Sequence, residues 1–214
     1  MSLLTTRAPS LPLATQLYDA NYVDDLNKVL RIYFNTIDST FGALLTGTAG
    51  GKFLKFPYGA FFDTTTHTAA STAATYPVTF NNTDFSNGVS LAAAPNNSRI
   101  VVAQSGIYNV QFSAQLANAS NDGQDIEIWF RKNGTNIADS NTRFGIPPRK
   151  SAGSPSHDAC GINFFVSLDA QDYVELAWHT TSLDATIPYY VAPTSPTRPA
   201  IPSVILTVSF VSGI

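Results

Sequence analysis

Gly106-Ile107-Tyr108-Asn109-Val110-Gln111-Phe112-Ser113-Ala114-Gln115-Leu116 decides the fold. Tyr108, Val110, Phe112, Ala114 and Leu116 fall on one face and Asn109, Gln111, Ser113 and Gln115 on the other, the period of two that marks a half-buried antiparallel strand. On a helix Tyr108 and Val110 would stand about 200° apart, and the apolar residues would form no stripe. Working outward, residues 98–102 precede this strand. Residues 125–130 follow it, with Ile126, Ile128 and Phe130 alternating against Glu127, Trp129 and Arg131. Three strands in series around one apolar face predict an all-β core.

The 214 residues suffice for one large β domain with an extension or for two small domains. Only 13% are charged and the formal net charge is -3, against about 25% charged residues in an ordinary globular chain. The predicted surface is polar but nearly neutral. It lacks the basic patch that displaces counterions from nucleic acid, so no nucleic-acid partner is expected. No stretch approaches the roughly 20 apolar residues of a membrane span, so no membrane insertion is expected either. Residues 1–7 lack the charged start and apolar run of a signal peptide, which predicts synthesis in a cytoplasm. The single cysteine, Cys160, excludes an intrachain disulfide and supplies no zinc spacing; a small core residue is expected. Sequons at Asn81, Asn96, Asn118 and Asn133 read as by-products of an Asn- and Thr-rich composition.

Residues 1–18 place Pro9 and Pro12 among apolar residues without a period and predict an extended arm. Residues 19–38 predict the one helix, capped by Asp19 or Asn21. Val23, Leu26, Leu30, Tyr33 and Ile37 recur at threes and fours, widened by Tyr22, Val29 and Phe34 into a stripe that something must cover. Because this helix precedes the β region, association of several copies is expected ahead of packing on its own domain. Gly42, Gly47, Gly50 and Gly51 predict a linker over 41–51 and a division into an anchor, 1–50, and a β domain, 51–214.

Within the β domain, strands are expected over 53–63, 76–80, 89–91 and 99–102, with a turn-rich loop at 81–88. Asn133-Gly134 between strands is a two-residue hairpin signal, since both residues accept positive φ. A return strand is expected over 137–144, a Pro-, Gly- and Ser-rich loop over 145–160, and strands over 162–168 and 173–178 joined by a turn at 169–172. A long loop with five prolines spans 179–203. The last strand, 204–210, is expected to sit centrally in its sheet.

Tyr76-Pro77-Val78-Thr79-Phe80, Gly106-Ile107-Tyr108, the hairpin across Asn133-Gly134, and residues 165–176 resemble, in that order, the C1q/TNF-like jelly roll. That family carries a P-V-x-F segment, a G-x-Y strand, a K-N-G hairpin and an L-x-x-G-D-x-V-x-L segment; here Gln171 stands in place of the last motif's glycine. The likeness spans roughly residues 55–214 and implies an antiparallel jelly-roll sandwich that forms a homotrimer. The helix is similar to a Y-x-x-x-L-x-x-x-L-R-x-Y-F-x-x-I/L segment of tailed-bacteriophage virion proteins, matched by Tyr22, Leu26, Leu30, Arg31, Tyr33, Phe34 and Ile37.

Together the resemblances imply a non-enzymatic virion structural protein made in the host cytoplasm. Residues 1–40 would hold it to other virion proteins, and the jelly roll would face outward as a head decoration, fibre or tail appendage. Val23, Leu26, Leu30, Tyr33, Phe34 and Ile37 are the expected anchor and trimer seam. Trp129, Phe165 and Ile205, on strand faces opposite the predicted core, are the expected intersubunit residues. The alternative is a receptor- or glycan-binding adhesin that recognises a host-surface glycan or protein through Tyr189 and Tyr190.

No catalytic, cofactor-binding or metal-binding residues are expected. His67, His157 and His179 fall in or beside separate predicted loops without zinc-ligand spacing. Ser154-Pro155-Ser156-His157-Asp158 holds the residue types of a hydrolytic triad without its geometry. Asp122 and Asp125 read as a solvated turn, and no glycine-rich phosphate loop precedes a helix.

Overall fold

A computed structural model describes residues 9–13, 19–45 and 56–214, with side chains of the helix described to residue 41. The chain divides into two compact units, Met1–Lys55 and Phe56–Ile214.

In the first unit, helix α1 spans Ala20–Leu45. Asp19 caps it, its Oδ1 accepting the Asn21 N–H at 2.9 Å. The helix runs past the expected end at 38 and takes in residues 41–45 of the expected linker. In its second half the Thr36 and Thr40 hydroxyls donate to the carbonyls of Ile32 and Thr36, each at 2.8 Å. Residues 46–51 of that linker, and the arm apart from residues 9–13, lie outside the described residues; 9–13 form neither helix nor strand.

The second unit is a two-sheet antiparallel jelly roll. In chain order its strands are β1 (Tyr58–Asp63), β2 (Tyr76–Pro77), β3 (Asn82–Asn87), β4 (Val89–Leu91), β5 (Ile100–Val102), β6 (Gly106–Asn118), β7 (Gln124–Lys132), β8 (Thr135–Asn136), β9 (Thr142–Ile146), β10 (Ser156–Leu168), β11 (Tyr173–Thr180), β12 (Ala185–Thr186) and β13 (Val204–Ser212). Sheet I runs β10-β6-β13-β1-β3, with β12 also on β6; sheet II runs β4-β5-β11-β7-β8, with β2 on β11 and β9 on β7. The chain crosses repeatedly from one sheet to the other, the wrapping that defines a jelly roll. The apolar side of β6 meets Phe61, Phe80, Phe130, Leu176 and Trp178 in one buried core that also holds Cys160. Burial and the nearby Asp158 charge push the Cys160 thiol up to about 12, so it stays protonated.

Two expected motifs find their physical reasons. A Cβ on Gly106 would lie 2.3 Å from the Phe210 ring and 2.7 Å from the Ser212 carbonyl oxygen; without it, Phe210 packs edge-on against the fully buried Tyr108 at 5.6 Å. Asn133 and Gly134 take φ of 50° and 79°, closing β7 onto β8 in a two-residue turn. Gln171 adopts φ 73°, the left-handed conformation for which the resembling family carries glycine.

Five expected loop or strand assignments differ, the first being the strand expected over 76–80, which is only Tyr76–Pro77. Residues 82–87 are strand β3, paired with β1 through a bulge at Ala60/Phe61. Residues 156–160 are strand, because β10 pairs with β6 from Ser156↔Asn118 to Leu168↔Gly106. The return strand is broken into β8 and β9: Asp139 turns with φ 61°, and the Ser140 hydroxyl accepts the Phe130 N–H at 3.1 Å in place of a strand partner. The 179–203 segment is pinned by β12 and by the bridges His67↔Ile187, Tyr190↔Ile201 and Thr194↔Thr197.

Candidate functional site

The outer faces of the two sheets differ in chemistry. On sheet I, β6 and β13 contain no charged residue at all. Their outward side chains are Asn109, Gln111, Ser113, Thr207, Ser209 and Ile205, the last 40% exposed, and on the flanking strands stand Phe165, Phe85 and Tyr58, exposed by 58, 55 and 41%. Phe85 and Tyr58 meet edge-on at 5.9 Å across β3 and β1. Phe165, opposite Asn109 in register, stands near an Asn109 Oδ1 that is buried without a donor among the described residues. Of the three residues expected on this kind of surface, Phe165 and Ile205 are exposed together on sheet I.

Trp129 is not part of that surface. It lies on the outer face of sheet II and is only 8% exposed, its Nε1–H donating to Asn136 Oδ1 at 2.8 Å while the Arg131 guanidinium lies 5.6 Å from its ring centroid. The two-residue hairpin folds Asn136 back over the ring. Alternation placed Trp129 on the correct face without showing what covers it.

Sheet II carries charge. Its outward pairs are His179↔Glu127, Ala177↔Trp129 and Glu175↔Arg131. Arg143 donates to Glu127 Oε1 at 2.8 and 2.6 Å, and with Asn141 it holds the Glu127 carboxyl below the usual range. Ser98 and Arg99 meet Glu175, and Arg99 lies over the Tyr173 ring at 4.7 Å. At the end of the sheet Asp172 accepts hydrogen bonds from Lys132 Nζ at 2.8 Å, Asn133 Nδ2 at 2.7 Å and the Asp169 N–H at 2.8 Å, which hold its carboxyl down at about 2. Between β7 and the 136–141 segment lies a cleft of about 400 Å³ lined by Trp129, Ile137, Asn136, Asp139 and Asn141 together with Thr75, Glu127 and His179. The scatter of these residues over four chain segments hid the cleft from sequence reasoning.

Tyr189 and Tyr190 stand at the base of the proline-rich loop, not at its tip. Tyr190 exchanges both backbone hydrogen bonds with Ile201, at 3.0 and 2.8 Å. Its hydroxyl lies 3.0 Å from His157 Nδ1, and the Tyr189 N–H donates to Thr66 Oγ1 at 3.0 Å. The bridges fold the loop back on itself, so Thr194 and Thr197 form its turn.

The histidines are separately placed. His157 faces Tyr190, His179 Nε2 donates to the Thr72 carbonyl at 2.8 Å, and His67 is part-buried, its charged form disfavoured by burial against the pull of Asp63. Ser156 is buried while the next residue, His157, is exposed, so the two do not meet as base and nucleophile. Among the described residues no group of three or more His, Cys, Asp or Glu is placed to hold a metal ion. Asn118 is fully buried, its amide donating to the carbonyls of Asp122 and Pro147 at 2.8 and 3.0 Å, which leaves no room for a glycan.

In α1, Val23, Leu26, Leu30, Tyr33 and Ile37 are half-exposed, and Phe34 is 57% exposed with its ring 5.8 Å from that of Tyr33. No described helix is long and apolar enough to cross a membrane. No family model matches the chain, and no curated protein matches it.

Proposed function

We propose that this chain is a non-enzymatic, homotrimeric structural protein of a tailed-phage virion, held to the particle by its N-terminal segment and displaying the jelly roll. The observation that carries the structural role is the outer face of sheet I, uncharged across β6 and β13, where Phe165, Ile205, Phe85 and Tyr58 remain exposed in the single chain. Exposed apolar side chains on a sheet face usually mark an interface. Threefold symmetry and the virion setting come from the sequence resemblances. The α1 seam supports the anchor, because half-exposed Leu26 and Leu30 each gain, on full burial, part of the roughly 1.5 to 3 kcal/mol that a fully exposed leucine would.

Light scattering on the full chain is expected to return the mass of three chains; a stable monomer at micromolar concentration refutes self-association. Leu26→Asp with Leu30→Asp places unpaired charges in the seam. Helix content by circular dichroism and incorporation into particles should fall, while the jelly rolls stay associated. If both quantities hold at the wild-type level, the anchor reading fails.

A further inference from the structure

We propose that the cleft between β7 and the 136–141 segment is a binding site for a neutral saccharide unit. Its volume of about 400 Å³ lies within the range of small-molecule sites, about 300 to 1,000 Å³. Apolar surface from Ile137 and the small part of Trp129 that Asn136 and Arg131 leave uncovered lies beside polar groups whose free valences can be counted. Asn136 commits its Oδ1 to Trp129 Nε1–H at 2.8 Å and Arg131 Nε–H at 2.9 Å, so its two N–H groups are the end left to a ligand. Asn141 is fixed the other way: its amide donates to Glu127 Oε2 at 3.3 Å and its carbonyl remains to accept. Thr75 Oγ1 accepts from Arg131 at 3.2 Å and keeps its own O–H. The Asp139 carboxylate takes no hydrogen bond or ion pair from the described residues.

Donors, acceptors and an apolar wall at one place match a sugar ring, whose hydroxyls both donate and accept and whose C–H face is apolar. Other ligand classes fit less well. An anion would meet the Asp139 and Glu127 carboxylates, while no lysine or arginine lines the cleft. A wholly apolar ligand would strip water from Asn136, Asn141 and Asp139 without replacing their hydrogen bonds. The cleft is on the opposite sheet from the association surface, and its function does not rest on the trimer.

The chain has two tryptophans, and Trp178 is buried in the core, so their indole N–H resonances report the cleft and an internal reference. The full-length protein is titrated into the millimolar range with methyl glycosides of glucose, galactose, mannose and N-acetylglucosamine, and with maltose and lactose. At least one should shift the Trp129 indole saturably and leave Trp178 in place. The corresponding uronic acid should bind several-fold more weakly. Asp139→Asn with Asn141→Ala should weaken binding about tenfold, the loss of roughly one charged hydrogen bond, with an unmoved Trp178 resonance showing that the variant is folded. The proposal is overturned if none of these saccharides moves the Trp129 resonance, if the double variant binds as the wild type does, or if the uronic acid binds more tightly than the neutral sugar.

Discussion

Sheet I and sheet II enclose the same core and treat their outer faces in opposite ways. Sheet II and its end turns hold the described ion pairs, Arg99–Glu175, Lys132–Asp172 and those of Arg143 with Asp125 and Glu127. They also cover apolar surface with nearby chain, as Asn136 and Arg131 do for Trp129. Sheet I has no described ion pair and leaves four large aromatic or aliphatic side chains in the open. In a single domain the burial of one face and the exposure of the other cannot both follow from the needs of the core, which is satisfied from within. On the function proposed above, the difference belongs to what each face meets, water on one side and a second copy of the chain on the other.

The largest expected effect would break this comparison directly. Phe165→Asp with Ile205→Asp should weaken self-association at least about a hundredfold, since each apolar side chain buried is worth roughly 1.5 to 3 kcal/mol and each buried charge costs more. Light scattering over a dilution series reads it. Glu127→Gln with Arg143→Gln, the matching change on sheet II, should leave the stoichiometry alone; if it dissociates the assembly and the sheet I variant does not, the roles of the faces are reversed. Next in size, Gly106→Ala should cost about 1 to 3 kcal/mol in urea denaturation, because the new methyl group must displace both Phe210 and the backbone at Ser212.

Acid should separate the two sheets more gently. The Asp172 carboxyl is held at about 2 against an ordinary 3.8, so its contribution is complete above about pH 4 and is lost as the pH falls toward 2. Its side chain is 16% exposed, and after solvent screening about 1 kcal/mol is expected. Asp172→Asn should flatten the acid limb of a stability-against-pH curve in that window, and an unchanged limb would deny the carboxylate its tie between two turns. Smallest of all, Gln171→Gly should stabilise by up to about 1 kcal/mol by relieving the φ of 73°. Equal or lower thermal stability would show that the glutamine makes up the difference elsewhere.

The fold was legible wherever one strand face alternated cleanly, as in β6, β7 and β13. It was illegible where pairing, not pattern, makes the strand. Asn82-Thr83-Asp84-Phe85-Ser86-Asn87 has low strand propensity, and its one large apolar residue points away from the core; it is extended because β1 offers an edge. Residues 156–160 read as loop for the same reason and are ordered by the far end of β6. At the surface, the period of two assigns a face but not its cover. It grouped Trp129 with Phe165 and Ile205, although only the latter two are open to solvent. The cleft was hidden because Thr75, Asn136, Asp139, Asn141 and His179 become neighbours only after β7, β9 and β11 pair.

The position of β13 also bears on synthesis. It is hydrogen-bonded between β6 and β1, yet it leaves the ribosome after every other strand of the domain. Until then β1 and β3 have only each other and the middle of sheet I is missing, so most of the fold's long-range pairing waits on the last segment to emerge. Ile205 itself arrives with that strand. A nascent chain therefore carries the unpaired edges of β6 and β1 and an uncovered part of the core until that strand arrives to close both.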